Sequence, residues 1–201
     1  MKCDIRKFFD SVDHDILLRI LQQRVRDPDM LWLLEEIIES YVVPITRERE
    51  RERVTTATRK GVPIGNLTSQ IFANIYLNEF DQFVKHELKI KQYARYTDDF
   101  IIIADSVPYL RTRIEAFLDT RLRLSLHQNK IVLQPCHRGV DFLGQIVFPH
   151  HRLLRVKTRK RIFRKMRKKA EQFQSGLVTE DAFRQSLQSY LGVLSHVNAH
   201  E

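Results

Sequence analysis

Apolar positions recur along this chain at two periods, and the changes of period mark out its elements. Residues 2 to 6 read as a short strand. From Asp13 or His14, Ile16, Leu17, Ile20, Leu21 and Val25 keep the three-and-four spacing of one helix face. Asp27-Pro28-Asp29 breaks that pattern and opens a second helix, which carries Leu31, Leu34 and Ile38 toward a core, with Trp32 as a further candidate. Thr46 to Lys60 is nearly free of apolar residues, and its Arg-Glu alternation from Arg47 to Arg53 predicts a solvated hairpin or loop. Asn66 or Thr68 then caps a long helix to about Lys89, striped by Ile71, Ile75, Leu77, Phe80, Phe83, Val84 and Leu88. Two apolar strands follow, Gln92 to Tyr96 and Phe100 to Ala104, in a β-hairpin. Pro108 suits the first turn of a helix ending near Leu122. Short strands are expected around 124–126, 131–134, 140–143 and 145–148, and then helices over 157–174 and 179–196, parted by Ser175-Gly176. The order is that of an α+β fold.

Chemistry concentrates where the hairpin turns. Tyr96-Thr97-Asp98-Asp99 sets two adjacent carboxylates at the tip, and Asp4 lies at the end of the first strand. Were those strands neighbours, three acids would meet on one sheet edge, which is the oxygen donor set of a two-metal phosphoryl-transfer site. Asp-Asp is also ordinary hairpin chemistry, since Asp tolerates turn dihedrals and bonds its own backbone.

Longer stretches decide between those readings. Asp4-Ile5-Arg6-Lys7-Phe8-Phe9-Asp10-Ser11-Val12-Asp13-His14 resembles motif A of bacterial reverse transcriptases, and Tyr96-Thr97-Asp98-Asp99 resembles their motif C. Between them, Gly61-Val62-Pro63-Ile64-Gly65-Asn66-Leu67-Thr68-Ser69-Gln70 resembles motif B. Leu124 to Lys130 resembles motif D, and Phe142-Leu143-Gly144 the motif E primer grip. Five motifs in the family's order are a poor product of chance. The resemblance implies a polymerase palm of split βαβ, ferredoxin-like topology over 1–148, holding motifs A to E, and a basic helical thumb-like segment over 149–201. Motif A opens three residues after Met1, so the family's fingers strands are expected to be missing.

The resemblance also assigns roles. Asp4 and Asp98 would bind two Mg²⁺ ions, with Asp99 auxiliary and the Ile5 carbonyl on the second ion. Arg6, Lys7 and Phe8 would border the incoming deoxynucleoside triphosphate, although Arg6 and Lys7 read equally well as solvent-facing charges. Either Phe9 lies under the sugar and excludes a 2′-hydroxyl, or it is core; only one of Phe8 and Phe9 can fill each place. Lys130 would protonate the departing pyrophosphate, or else it is a surface charge. Gly65, Ser69 and Gln70 would border the nascent base pair and template, and Phe142, Leu143 and Gly144 would hold the primer end.

Motif B departs from the usual Gln-Gly-x-x-x-Ser-Pro at both ends, with Ile64 and Gln70 in place of Gln and Pro. This version resembles the reverse transcriptases of diversity-generating retroelements, which copy a template RNA with errors at adenine. A retron or group II intron type enzyme is the alternative within the class, and a catalytically silent nucleic-acid-binding fragment the alternative outside it. The chain carries 34 Lys and Arg against 25 Asp and Glu, so its expected partner is a polyanion. The excess concentrates between Arg152 and Lys169, where Arg155, Lys157, Arg161, Arg164, Lys165 and Lys168 are candidates for phosphate-backbone contact. Template RNA, primer, nascent DNA, dNTPs and an accessory protein of the retroelement complete the expected partners. Cys3 and Cys136 show neither zinc nor disulfide spacing and read as reduced, inert thiols. No run approaches a membrane span, so no membrane partner and a cytoplasmic location are expected.

Overall fold

A computed structural model describes residues 1–41, 59–63, 65–195 and 197. The charged segment read as a loop from Thr46 falls largely outside the described residues, and so does Ile64. Contacts divide the chain into two units, Met1–Leu133 and Gln134–Glu201.

The first unit is built on a sheet of β1 (Lys2–Asp4), β2 (Gln92–Tyr96) and β3 (Asp99–Ile103), antiparallel throughout and ordered β1-β3-β2. The expected strands at 124–126 and 131–134 do not form. Single bridges take their place, Ile5 to Leu126 and Lys2 to Val132, because a 3₁₀ turn at Gln128–Lys130 pushes the intervening residues out of the ladder. With that broken edge lying beside β1, the order runs edge-β1-β3-β2, the arrangement of a split βαβ fold. The first strand is also shorter than expected, since Lys7 at φ 44° turns the chain into a short helix α1 (Phe8–Ser11) that the apolar pattern did not signal.

Strand parity separates two faces. Cys3, Ile5, Phe100 and Ile102 point inward and are at most 1% exposed. Burial pushes the Cys3 thiol up to about 11, which leaves it protonated and inert as expected. Against this face pack α2 (His14–Gln22), α4 (Leu67–Gln82, continued by a π-helical turn Phe83–Glu87) and α5 (Val107–Leu122). Asp13 caps α2 by accepting from the Ile16 amide at 3.2 Å, and its other oxygen accepts from Arg123, just past the end of α5, at 2.8 Å. Of the expected stripe, Leu77, Phe80, Phe83 and Val84 are buried and Ile75 and Leu88 pack against the core, while Ile71 is 51% exposed; Phe72, Ala73 and Tyr76 are buried in addition. On α3 (Pro28–Glu39), Ile38 is buried but the candidate Trp32 is 62% exposed.

In the second unit, β4 (Val140–Phe142), β5 (Gln145–Val147) and β6 (Arg152–Leu154) form an antiparallel sheet in chain order, followed by α6 (Val156–Gln174) and α7 (Glu180–Ser195). Strand β6, for which no strand was expected, lies ahead of the two helices of the helical segment expected over 149–201. Its pairing with β5 runs across residue 148, which is why the contact division falls earlier than the motif division. Among the described residues no helix is long and apolar enough to cross a membrane.

Candidate active site

The acids of interest lie on the open face of the first sheet. Register sets Asp4 directly opposite Asp99, and the Ile5 amide donates to the Asp98 carbonyl at 3.2 Å, so motifs A and C are stitched backbone to backbone. Two like charges facing each other across a ladder repel. Lys130 answers part of that charge: the outward 3₁₀ turn brings its ammonium to 3.0 and 2.9 Å from the two Asp4 carboxylate oxygens. Lys2, diagonal to Asp99, reaches it at 3.8 Å.

Asp99 shows the remaining imbalance. Burial raises its pKa above the usual carboxylate range, and the charges of Asp4 and Asp98 push the same way while Lys2 opposes them. Hydrogen bonding to Asp4 raises the basicity of Lys130 and keeps its proton on, with the Asp4, Asp98 and Asp99 charges adding to the effect. Among the described residues no three Asp, Glu, His or Cys side chains are arranged to hold a metal ion as they stand. The donor chemistry nevertheless suits a hard cation: carboxylates of two strands are clustered at one sheet edge, and an ammonium sits on Asp4.

A folded pKa above the unfolded one means that Asp99 contributes stability at pH below its unfolded value and loses it as pH rises through the folded value. Asp99→Asn should therefore be more stable than wild type at pH 7.5, by about 0.5 kcal/mol on the scale of cross-strand charge pairs. The gap should close at pH 3. Thermal melts at both pH values check this, and a variant less stable at pH 7.5 contradicts it.

The turn itself is unusual. Thr97 has φ 50°, a left-handed conformation that a β-branched residue rarely adopts. Its hydroxyl lies 2.8 Å from the Tyr96 carbonyl and 2.9 Å from Asp98 Oδ1. Arg95, which carries no motif signal in the sequence, donates to the Thr97 carbonyl.

Phe8 is the core member of its pair, packed edge-on against Tyr76, and Phe9 is half-buried beside it. Arg6 and Lys7 are exposed. Gly65 has φ 100°, reserved for glycine, with nothing within 4 Å of an added Cβ. Gln70 is exposed, whereas Ser69 is 1% exposed and its hydroxyl has no partner among the described residues. In the second unit Leu143 and Gly144, at φ 51° and 82°, form the two-residue turn between β4 and β5. Half-buried Phe142 ends β4, while Leu143 is 56% exposed. Gly144, Arg155, Lys157, Thr158, Lys160, Arg161 and Arg164 line a basic cleft of about 860 Å³. Arg155 is tied to Asp141; Arg161, Arg164, Lys165 and Lys168 are exposed.

The family model described as reverse transcriptase (RNA-dependent DNA polymerase) matches residues 1–147. Among curated relatives, Protein YkfC of Escherichia coli is 27% identical over 78% of this chain and 47% of its own length. Group II intron-encoded protein LtrA of Lactococcus lactis is 21% identical over 70% of this chain and 33% of its own. The chain thus spans about half the length of the first relative and a third of the second. Apo telomerase from Candida tropicalis, truncated from its C-terminal domain, shares the fold at a TM-score of 0.52 and 15% identity, over 73% of this chain and 33% of that one. A family match through residues 1–147, laid on a sheet that pairs the first strand with the acid hairpin, makes this chain a member of the reverse transcriptase (RNA-dependent DNA polymerase) family.

Proposed function

We propose that this chain carries the catalytic palm, with part of the thumb, of a polymerase that extends a primer with deoxynucleotides along an RNA template, assisted by two Mg²⁺ ions. The pairing of Asp4 with Asp99, beneath a lysine that bridges both Asp4 oxygens, is the observation that supports it most. When bound, the ions supply charge stabilisation and activation of the primer hydroxyl. Asp4, Asp98, Asp99 and the Ile5 carbonyl are the groups that would hold them. Phe9 limits the space beneath the sugar, and a ring there excludes a 2′-hydroxyl by volume. Lys130 holds a proton beside Asp4 and can deliver it to the departing pyrophosphate. Arg6, Lys7 and Phe8 border the triphosphate, and Gly65, Ser69 and Gln70 the base pair and template. Phe142, Leu143 and Gly144 hold the primer end, and the cations of α6 follow the phosphate backbone. A cytoplasmic location goes with this reading.

Extension of a DNA primer on an RNA template by the 201-residue chain with Mg²⁺ tests the proposal. Binding without extension would favour a silent nucleic-acid-binding fragment. For the binding surface, neutralising Arg161, Arg164, Lys165 and Lys168 together should lower the salt slope of template affinity by about 3, since each single-strand phosphate contact contributes about 0.7. An unchanged slope would place those charges in solvent.

The Ile64 form of motif B supports a diversity-generating enzyme, which copies its template with errors at adenine in company with an accessory protein. The intron-encoded relatives favour a second reading, an intron-type enzyme. Ile64→Gln separates them, because a side-chain amide left unpaired at a wrong pair penalises it by about 1 kcal/mol. A larger drop in errors opposite template adenine than opposite other bases when Ile64 becomes Gln, read by sequencing the cDNA of both versions, is the diversity-generating outcome; an unchanged adenine error spectrum supports the intron type.

A further inference from the structure

Parity on β2 places Tyr93 and Arg95 on the face that packs against α4, an apolar setting for a guanidinium. The Arg95 side chain is only 9% exposed, and an unpaired charge there would be costly. Asp81 on α4 meets it with both oxygens: Nε donates to Oδ1 at 2.8 Å and Nη2 to Oδ2 at 2.6 Å. The Tyr93 hydroxyl donates to the same Oδ1 at 2.5 Å. That forked pair fixes the plane of the guanidinium.

The remaining nitrogen carries the inference. Nη1 donates to the Thr97 carbonyl at 3.0 Å and to Asn74 Oδ1 at 3.3 Å. The Thr97 carbonyl belongs to the residue in the left-handed conformation, one position before Asp98. A charge-assisted hydrogen bond is roughly twice as strong as a neutral one, and this one acts on the peptide joining Thr97 to Asp98.

We propose that Arg95, clamped by Asp81, is a positioning residue that holds the Thr97–Asp98 turn in the conformation presenting Asp98. The inference rests on the polymerase reading above. A lysine could pair with Asp81 but could not, from one nitrogen, span both Asp81 oxygens and the Thr97 carbonyl. A purely structural ion pair between α4 and β2 would have no use for that last bond.

The test uses the full chain as wild type, Arg95→Gln, Arg95→Lys, Thr97→Gly and the Arg95→Gln/Thr97→Gly double variant. Melting curves establish which fold, and if Arg95→Gln does not, Arg95→Lys takes its place. The NMR intraresidue amide-to-Hα cross-peak of Thr97, strong in a left-handed residue, should weaken in the Arg95 variants. Mn²⁺ affinity, read by water-proton relaxation, should fall about tenfold, as it does when the support of a metal ligand is removed. The kcat of primer extension should fall about 100-fold with the primer-template KM unchanged. Glycine adopts positive φ freely, so in the Thr97→Gly background the loss of Arg95 should cost much less Mn²⁺ affinity.

An unchanged Thr97 cross-peak with unchanged Mn²⁺ affinity overturns the proposal, whatever happens to the melting temperature. A wild type that gives the cross-peak but extends no primer counts against the polymerase reading instead. In that case the cross-peak of the Arg95 variants still decides whether Arg95 positions the turn.

Discussion

Asp98→Asn should lower primer extension on the order of 10³-fold, about 4 kcal/mol of transition-state stabilisation, while the melting temperature stays within a few degrees of wild type. The two parts of this expectation have separate causes. The Asp98 side chain lies in the turn, beyond the ladder that ends at Asp99, and the bond that ties the turn to β1 uses the Asp98 backbone carbonyl, which asparagine retains. Asparagine also keeps an oxygen facing the Thr97 hydroxyl. What it loses is the negative charge, and a hard cation depends on that charge for binding. Single-turnover extension measured beside a melting curve tests both parts. Extension within tenfold of wild type would remove Asp98 from the metal site, and a collapsed melting curve would make its role structural.

Elements with a strong period were legible in the sequence. The acid hairpin, α2, α5, α6 and α7 lie where the period of their apolar positions places them. Helix α4 follows its expected stripe through Leu77, Phe80, Phe83 and Val84 but not at Ile71. Its apolar residues Ile71, Phe72, Ala73, Ile75 and Tyr76 do not fall on one narrow stripe, so periodicity alone does not choose among them; packing buries Phe72, Ala73 and Tyr76 and leaves Ile71 exposed. Strand β6 was missed because Arg152-Leu153-Leu154 is too short to show alternation. The edge beside β1 was overread, since alternation cannot reveal the 3₁₀ turn that interrupts it.

At the site the same division holds. The acids and Lys130 stood out through motif order, and the register that opposes Asp4 and Asp99 follows once β1 and β3 pair. Arg95 did not stand out, because a charged residue in a strand reads as solvent-facing until its parity is known. Its signal was present: Arg95 shares parity with Tyr93 and sits opposite Phe100, a buried register that obliges an arginine to find an acid.

Lys130→Met should separate two effects that the structure superimposes on one side chain. The ammonium donates to both Asp4 oxygens, so it competes with any cation seeking Asp4, and it also carries the proton proposed for the leaving pyrophosphate. Removing it should lower the Mg²⁺ concentration for half-maximal activity, since Asp4 no longer has a rival partner. It should also lower kcat on the order of 10²-fold, the usual contribution of a positioned general acid. Lys130→Arg divides the two. A guanidinium still competes for Asp4, so the Mg²⁺ requirement should return toward wild type. It does not give up its proton in the working range, so kcat should stay low. A surface lysine predicts equal kcat in all three proteins, and a lysine that only screens Asp4 predicts that arginine restores both parameters. Mg²⁺ titrations of single-turnover extension for the three chains therefore decide whether Lys130 is a proton donor, a counter-ion or both.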